Sequence, residues 1–362
     1  MSLTSVFGKM MERVVAADMT YYLLTNKLLN ASQHGFLSRR STLTNLLESV
    51  NDWTLSIENK LLNRVAYIDF SRAFDSVSHA KLLHKLKSYG IDGVLLEWIA
   101  DFLSERIHCT RVGNAMSSFR FIRSGVVQGS CLGPLLFIIF INDITDIFTT
   151  GITCKLYADD VKVYTEVKSD DDLCCFQDYL DSVHHWSVVW QLSVSSRKCC
   201  TVDIGKRSDV DNIRRCRLGT EYIDVCECVT DLGVTVDSRL NFTEHITKIT
   251  RKAHQRANLI HRCFTSKTAD LLVKAFITYV RPMLEYNSPV WSPTFKKDVI
   301  LVESVQRRFT KRIPGMTGLT YHSRLKKLKL ESLELRRLRA DLVLTYKILF
   351  GALRVNSDMF LA

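Results

Sequence analysis

Residues 154–165 read CKLYADDVKVYT, two short runs of strand-forming side chains around the adjacent carboxylates Asp159 and Asp160. Leu156 and Tyr157 lead in, and Val161, Val163 and Tyr164 follow. Such β-branched and aromatic residues fit a pleated, half-buried ribbon, so the stretch predicts a hairpin whose tip carries acid. Aspartate is also a favoured turn residue, and the pair alone does not separate chemistry from turn formation.

A second stretch tips the balance. In residues 64–74, RVAYIDFSRAF, the apolar run Val65, Ala66, Tyr67 and Ile68 ends abruptly on Asp69. A buried strand that delivers a carboxylate at its end, in one domain with an acidic hairpin, points to carboxylates gathered around divalent metal. Phosphoryl and nucleotidyl transfer use such a cluster, because two hard cations roughly 4 Å apart clamp the attacking and leaving oxygens.

The rest of the chain is compatible with a folded, nucleic-acid-handling protein. At 362 residues and 46% hydrophobic it is long enough for two or three subdomains with real cores, and it is not a disordered chain. Five Pro and 15 Gly leave no evident linker, and no internal repeat is present. The net charge of +11 is unevenly placed: residues 240–362 hold 23 Lys and Arg against nine Asp and Glu, whereas residues 1–239 hold 26 against 29. An acidic body with a basic last third suits metal in one part and a phosphate backbone in the other; solvated helix faces would give the same charge. Eleven cysteines without paired zinc-type spacing, Cys226-Glu227-Cys228 being an isolated pair, read as reduced thiols. The opening MSLTSVFGKMMERVV lacks a long apolar stretch behind a basic start, so no signal peptide is expected, and the most apolar segment, 132–141, is about half of the ~20 residues a membrane span needs. The expectation is an intracellular protein of cytoplasm and nucleus, neither secreted nor inserted in a membrane.

Periodicity predicts the elements. Val6, Met10, Val14 and Val15, then Leu43, Leu46, Leu47 and Val50, recur at helical spacing; Leu82, Leu83, Leu86 and Tyr89 make a helical face ending at Gly90. Residues 109–122 alternate around Gly113-Asn114 as a hairpin, and a long apolar helix runs from Pro134 to about Ile147. Asp170 to Asp172 start a helix whose stripe is Phe176, Leu180, Val183 and Trp186 or Trp190; the acids there are capping charge, not a metal site. Residues 229–242, VTDLGVTVDSRLNF, form a further hairpin, and from His245 on the chain is helical.

Tyr157-Ala158-Asp159-Asp160, with Asp69 and Phe74 before it and Val127-Gln128-Gly129-Ser130-Cys131-Leu132-Gly133-Pro134 between, resembles the palm of a reverse transcriptase. Gln33-His34-Gly35-Phe36 and Ala73-Phe74-Asp75 are similar to the non-LTR, LINE-type retrotransposon enzymes of a jockey-like lineage. The likeness covers nearly the whole chain, and its motifs come in the family's order, which is far more specific than any one of them. It implies an α+β, right-hand polymerase: partial fingers over 1–59, an antiparallel palm sheet over 60–240, and a basic helical thumb with a C-terminal extension over 241–362.

The resemblance also implies roles. The enzyme would extend a DNA primer on an RNA template with deoxynucleoside triphosphates. Asp69 and Asp159 would bridge two Mg²⁺ ions, with Mn²⁺ as the alternative, while Asp160 sets local charge and ligates metal part of the time. Lys198, in the turn from Trp190 to Cys199, would donate a proton to the departing pyrophosphate or neutralise it; an exposed lysine is otherwise a solubilising charge. Phe70 and Phe74 would lie at the nucleotide, the ring of Phe74 under the sugar where a 2′-hydroxyl would clash, although an aromatic there equally suits a core. Gln128 and Gly129 would flank nucleotide and template, residues 33–41 would belong to the fingers, and Asp75, trailing the strand end, would pair locally. Leu232-Gly233-Val234 would hold the primer's 3′ end, and Arg251, Lys252 and Arg256, with Arg307, Arg308, Lys311 and Arg312, would meet duplex backbone. Where the family reads Arg-Pro-Ile-Ser-Leu-Thr-Ser, this chain opens Met1-Ser2-Leu3-Thr4-Ser5, and some relatives have Pro where Val127 stands. The expectation is the C-terminal portion of a longer element, lacking the triphosphate arginine, the upstream fingers and any endonuclease. The rival reading is a catalytically silent remnant that binds nucleic acid through its basic region. Oligomeric state is left open.

Overall fold

The computed structural model describes residues 5–147, 151–205 and 215–361; Met1, Ser2, Leu3 and Thr4, on which the departure from the family's opening falls, lie outside them. The chain folds as two units, one of residues Met1–Ser41 with Ser56–Cys226 and the other of Thr42–Leu55 with Glu227–Ala362.

The first unit is organised on a five-stranded sheet in the order Asp224–Val225, Cys200–Ile204, Leu62–Ile68, Asp160–Val167, Ile152–Tyr157. All neighbours are antiparallel except the short edge strand Asp224–Val225, which runs parallel to Cys200–Ile204. Leu62–Ile68 takes the centre because it can bury all but one of its residues. Its polar Arg64 is admitted by a two-pronged pair with Asp203, both contacts at 2.8 Å. The register sets Ile68 opposite Val161, which brings the next residue, Asp69, level with the tip of the acidic hairpin.

Helices cover this sheet. Gly133–Ile141 buries every residue but Pro134, and a 3₁₀ turn continues it from Asn142 to Ile147. Asp170–Trp190 starts with a reciprocal cap in which Ser169 and Asp172 bond each other's backbone, so of the three acids there Asp172 caps the helix. Its stripe buries Phe176, Leu180, Val183 and Trp186 as the spacing requires. Between Gly93–Leu103 and the apolar helix, Arg111–Val112 pairs with Ala115–Met116 around Gly113-Asn114, and Ile107–His108 pairs with Arg120–Phe121.

The first helix, Val6–Thr25, forms as predicted, but of Val6, Met10, Val14 and Val15 only Val15 packs on the core. Val6, Met10 and Val14 are exposed, whereas Met19, Leu23 and the carboxylate of Glu12 are buried. The reason is polar: Glu12 Oε2 accepts from Cys131 N at 2.6 Å and Leu132 N at 3.1 Å, N–H groups beside the start of the apolar helix, where no side chain of that helix caps.

The second unit consists of a two-stranded ribbon, Cys228–Asp231 with Val234–Asp237, and a set of helices from Thr243–Cys263 through Lys296–Lys311 to Leu333–Leu349. Residues 42–55, read with the fingers, and the ribbon, read with the palm, both group here. Thr42 Oγ1 meets Tyr286 Oη at 3.1 Å, and Asn51 Nδ2 donates to Met359 O at 3.2 Å. No helix among the described residues is long and apolar enough to cross a membrane, and all eleven cysteines are free thiols.

Candidate active site

Tyr157 stands opposite Asp160, so Ala158 and Asp159 are the two loop residues of the hairpin. Only Ala158 has positive φ, +58°, the φ pattern of a type II′ turn, where glycine is the usual occupant. A strained residue at a turn marks a tip whose conformation is held from outside.

Asp69 meets this tip from the central strand. Behind it, Ser195 N donates to Asp69 O at 2.8 Å and Ser71 N to Ser193 O at 2.8 Å, so the chain before Cys200–Ile204 is stitched to the residues around the carboxylate. This stitching delivers Lys198, whose Nζ lies 3.2 Å from Asp69 Oδ1. The lysine side chain is 66% exposed and that of Asp69 38%, so the pair contributes little stability. Burial, and then the charge of Asp69, push the Asp159 carboxyl above the usual range, while its own backbone N–H and Lys198 act the other way. Asp69, Asp159 and Lys198 therefore form one electrostatic group, and Asp160 stands exposed beside it at the start of its strand.

The remaining candidates fall into place unevenly. Gln128 and Gly129 are exposed on the loop before the apolar helix. Asp75 holds that loop: its Oδ1 accepts from Gln128 Nε2 at 2.9 Å and its carbonyl from Ser124 Oγ at 2.9 Å. Gly125 is required there, since a Cβ would come within 2.7 Å of Asp75 Cα. Phe74 is half-buried, stacked on Phe137 at 4.2 Å between centroids, with Phe36 edge-on at 6.1 Å. Phe70 is 4% exposed against Trp186, so its ring belongs to the core and only its backbone faces the site. Sequence reasoning gave no role to Phe36 and did not foresee the Asp75–Gln128 bond. Both stretches carry motif residues, but which distant side chain each meets is not a local property.

A sequence profile described as reverse transcriptase (RNA-dependent DNA polymerase) matches residues 1–236. The chain belongs to that family. Among its relatives are the RNA-directed DNA polymerase from the mobile element jockey of Drosophila melanogaster, 28% identical over 87% of this chain and 35% of that protein, and the probable RNA-directed DNA polymerase from transposon BS of the same species, 25% identical over 89% and 37%. The chain thus spans about a third of the length of the curated relatives it matches. The telomerase of Candida albicans, solved with a TWJ fragment of telomeric RNA, superposes with a TM-score of 0.46 at 10% identity over 89% of this chain and 58% of that one. This reverse transcriptase chain is α+β, with helices over an antiparallel-rich sheet, as its motifs imply.

Reverse transcriptases generally use divalent metal ions, and the donor set here suits them. Two partly open carboxylates in mutual repulsion are hard oxygen ligands whose charge a cation would relieve. Among the described residues no group of three or more His, Cys, Asp or Glu is gathered to hold a metal. A two-carboxylate set fits Mg²⁺, which keeps waters and takes substrate phosphate oxygens as its other ligands.

In the second unit, Leu232 and Gly233 form the two-residue loop of the ribbon, both at positive φ, +43° and +85°. Tyr286 Oη donates to Leu232 O at 3.0 Å and its ring lies over Gly233, while Val234 is buried. On Thr243–Cys263, Arg251, Lys252 and Arg256 are all exposed. Lys252 and Arg256 line an open groove of about 850 Å³ with Arg262 and Arg312, and its lining contains no acidic residue. Arg251 stands outside that lining.

Proposed function

We propose that this chain carries out RNA-templated addition of deoxynucleotides to the 3′-hydroxyl of a DNA primer. The single observation that supports this most is the convergence of Asp69, Asp159 and Lys198 at one end of the antiparallel sheet. Asp69 and Asp159 would hold the metal ions, Mg²⁺ or Mn²⁺, with Asp160 adding charge beside them. The bound ions would lower the pKa of the primer hydroxyl and neutralise the phosphates of the incoming nucleotide. Lys198 keeps an exposed ammonium next to Asp69, from which it can turn to the leaving pyrophosphate. Gln128, oriented by Asp75, presents an amide beside the nucleotide, and the half-buried face of Phe74 forms the floor under its sugar. The Leu232-Gly233 tip would support the primer end, and the groove of Lys252, Arg256, Arg262 and Arg312 would bind phosphates without regard to sequence. We place this activity inside the cell.

The test is extension of a labelled DNA primer on an RNA template by the purified chain with Mg²⁺. Extension that vanishes in the Asp159→Ala, Asp160→Ala double variant supports the proposal. Salt-sensitive binding to primer-template without any extension would contradict it and leave the silent nucleic-acid binder.

A further inference from the structure

The tip of the acidic hairpin is held by a segment that the chemistry above does not use. Residues 32–34 run beside the outer strand: Leu156 N donates to Ser32 O at 2.9 Å, His34 N donates to Leu156 O at 2.8 Å, and Gln33 forms an isolated parallel bridge with Leu156. The Gln33 side chain, 1% exposed, then reaches the turn itself. Its Oε1 accepts from Ala158 N at 2.9 Å and from Gly35 N at 2.7 Å. Both partners are N–H donors, so the carbonyl end of the amide must face them; the amide nitrogen has no partner among the described residues. Gly35 makes the approach feasible, because a Cβ there would lie 2.4 Å from Ala158 N. The peptide so gripped belongs to the one tip residue with positive φ, immediately before Asp159.

We propose that Gln33 is a positioning residue for Asp159: by accepting the Ala158 N–H it holds the strained turn and keeps the carboxylate turned to Asp69. The inference rests on the reading of Asp159 as a metal-holding carboxylate. What the site needs from residue 33 is an acceptor oxygen at this place, not the amide as such. Gln33→Met keeps the length and removes the acceptor. Gln33→Glu keeps an acceptor oxygen for both N–H groups but puts an ionisable carboxyl at a buried place, so its hydrogen exchange isolates the acceptor and its Mn²⁺ affinity also carries the added charge.

Two readouts independent of catalysis test this on the full chain. Hydrogen exchange reports the Ala158 amide directly, and titration with Mn²⁺ alone, followed by electron paramagnetic resonance, reports the carboxylates. In Gln33→Met, exchange in the peptide over residues 152–160 rises about tenfold while that of the Cys200–Ile204 strand stays as it was. The Mn²⁺ dissociation constant rises roughly tenfold, the usual effect of removing a group that orients a metal ligand, and Gln33→Glu restores the exchange. Unchanged exchange in Gln33→Met, unchanged Mn²⁺ affinity in it, or equal exchange in the Met and Glu variants would each overturn the proposal. A wild-type chain that extends no primer but shows the exchange and Mn²⁺ pattern would remove the polymerase reading and leave the role of Gln33 standing.

Discussion

The chain contains two hairpins built to the same plan and turned to different ends. Each has a two-residue loop with a non-glycine residue at positive φ, Ala158 at +58° and Leu232 at +43°. Each is gripped by one distant side chain, Gln33 accepting the Ala158 N–H and Tyr286 donating to the Leu232 carbonyl. The first tip carries Asp159 and is pressed against backbone at Gly35; the second carries no charge and meets a side-chain ring, that of Tyr286. A strained turn is therefore not in itself a sign of chemistry. What distinguishes the acidic tip is the second carboxylate set opposite it and the lysine beside both.

That difference makes unequal substitutions measurable. Gly35→Ala puts a methyl 2.4 Å from a backbone nitrogen, so the first unit has to move; the expected loss is about 3 kcal/mol by urea unfolding. Gly233→Ala meets Tyr286 Cε1 at 3.2 Å and a positive φ, and should cost roughly 1–2 kcal/mol in the second unit. A larger loss at Gly233 than at Gly35 would remove the contrast.

Acid should also act on the two hairpins differently. The second is tied down by His245, whose Nδ1 accepts from Thr235 N at 3.1 Å. Burial, then the charges of Lys248 and Lys252, lower its pKa to about 4. Since the unfolded chain binds the proton more readily, stability falls as pH drops from about 6.5 towards 4 and the dependence ends below that. Its full extent is on the order of 3 kcal/mol, and His245→Gln should flatten it in a series of unfolding curves. A profile in that window unaltered by the substitution would show that His245 is not what anchors the ribbon.

Glycine at either strained position sharpens the comparison further. Ala158→Gly and Leu232→Gly should each stabilise the local turn by up to about 1 kcal/mol, because the left-handed region then carries no Cβ penalty. Neither should weaken Mn²⁺ binding, since a glycine at position 158 keeps the N–H that Gln33 accepts and adopts the same φ without strain. A weaker Mn²⁺ affinity in Ala158→Gly alone would argue that strain at the tip, and not the Gln33 bond, presents the acid.

The smallest effect concerns the basic groove. Lys252→Ala with Arg256→Ala should lower the slope of log affinity against log salt by about 2 for primer-template duplex, without a change in sequence preference. A slope equal to that of the wild type would place the duplex elsewhere.

Much of this arrangement is legible in the chain because it is local. Alternation gave the acidic hairpin, the Arg111–Met116 ribbon and the 229–242 hairpin, and the Ser169–Asp172 cap needs residues only three apart. The carboxylates were readable because each closes a strand. What escaped depends on partners far along the chain. Val6, Met10 and Val14 of Val6–Thr25 are exposed, while Glu12 is buried where it meets amides some 120 residues away, a demand that periodicity does not contain. Gln33 belongs to a motif, yet its contact to Ala158, 125 positions on, is not written in the residues around it. Phe70 shared a motif with Asp69, yet strand alternation turns its ring into the core. Residues 42–55 precede the central strand in sequence and group with the C-terminal helices through Asn287 and Tyr286, which nothing in their own sequence announces.

The measurement that bears most directly on the central claim is single-nucleotide incorporation by Asp69→Asn and Asp159→Asn, with duplex affinity determined on the same samples. If the two carboxylates are the catalytic pair, each variant loses at least about 10³-fold in rate, roughly 4 kcal/mol of transition-state stabilisation, while duplex affinity stays within about twofold. A variant that keeps more than about a tenth of the wild-type rate, against that 10³-fold expectation, would contradict the account.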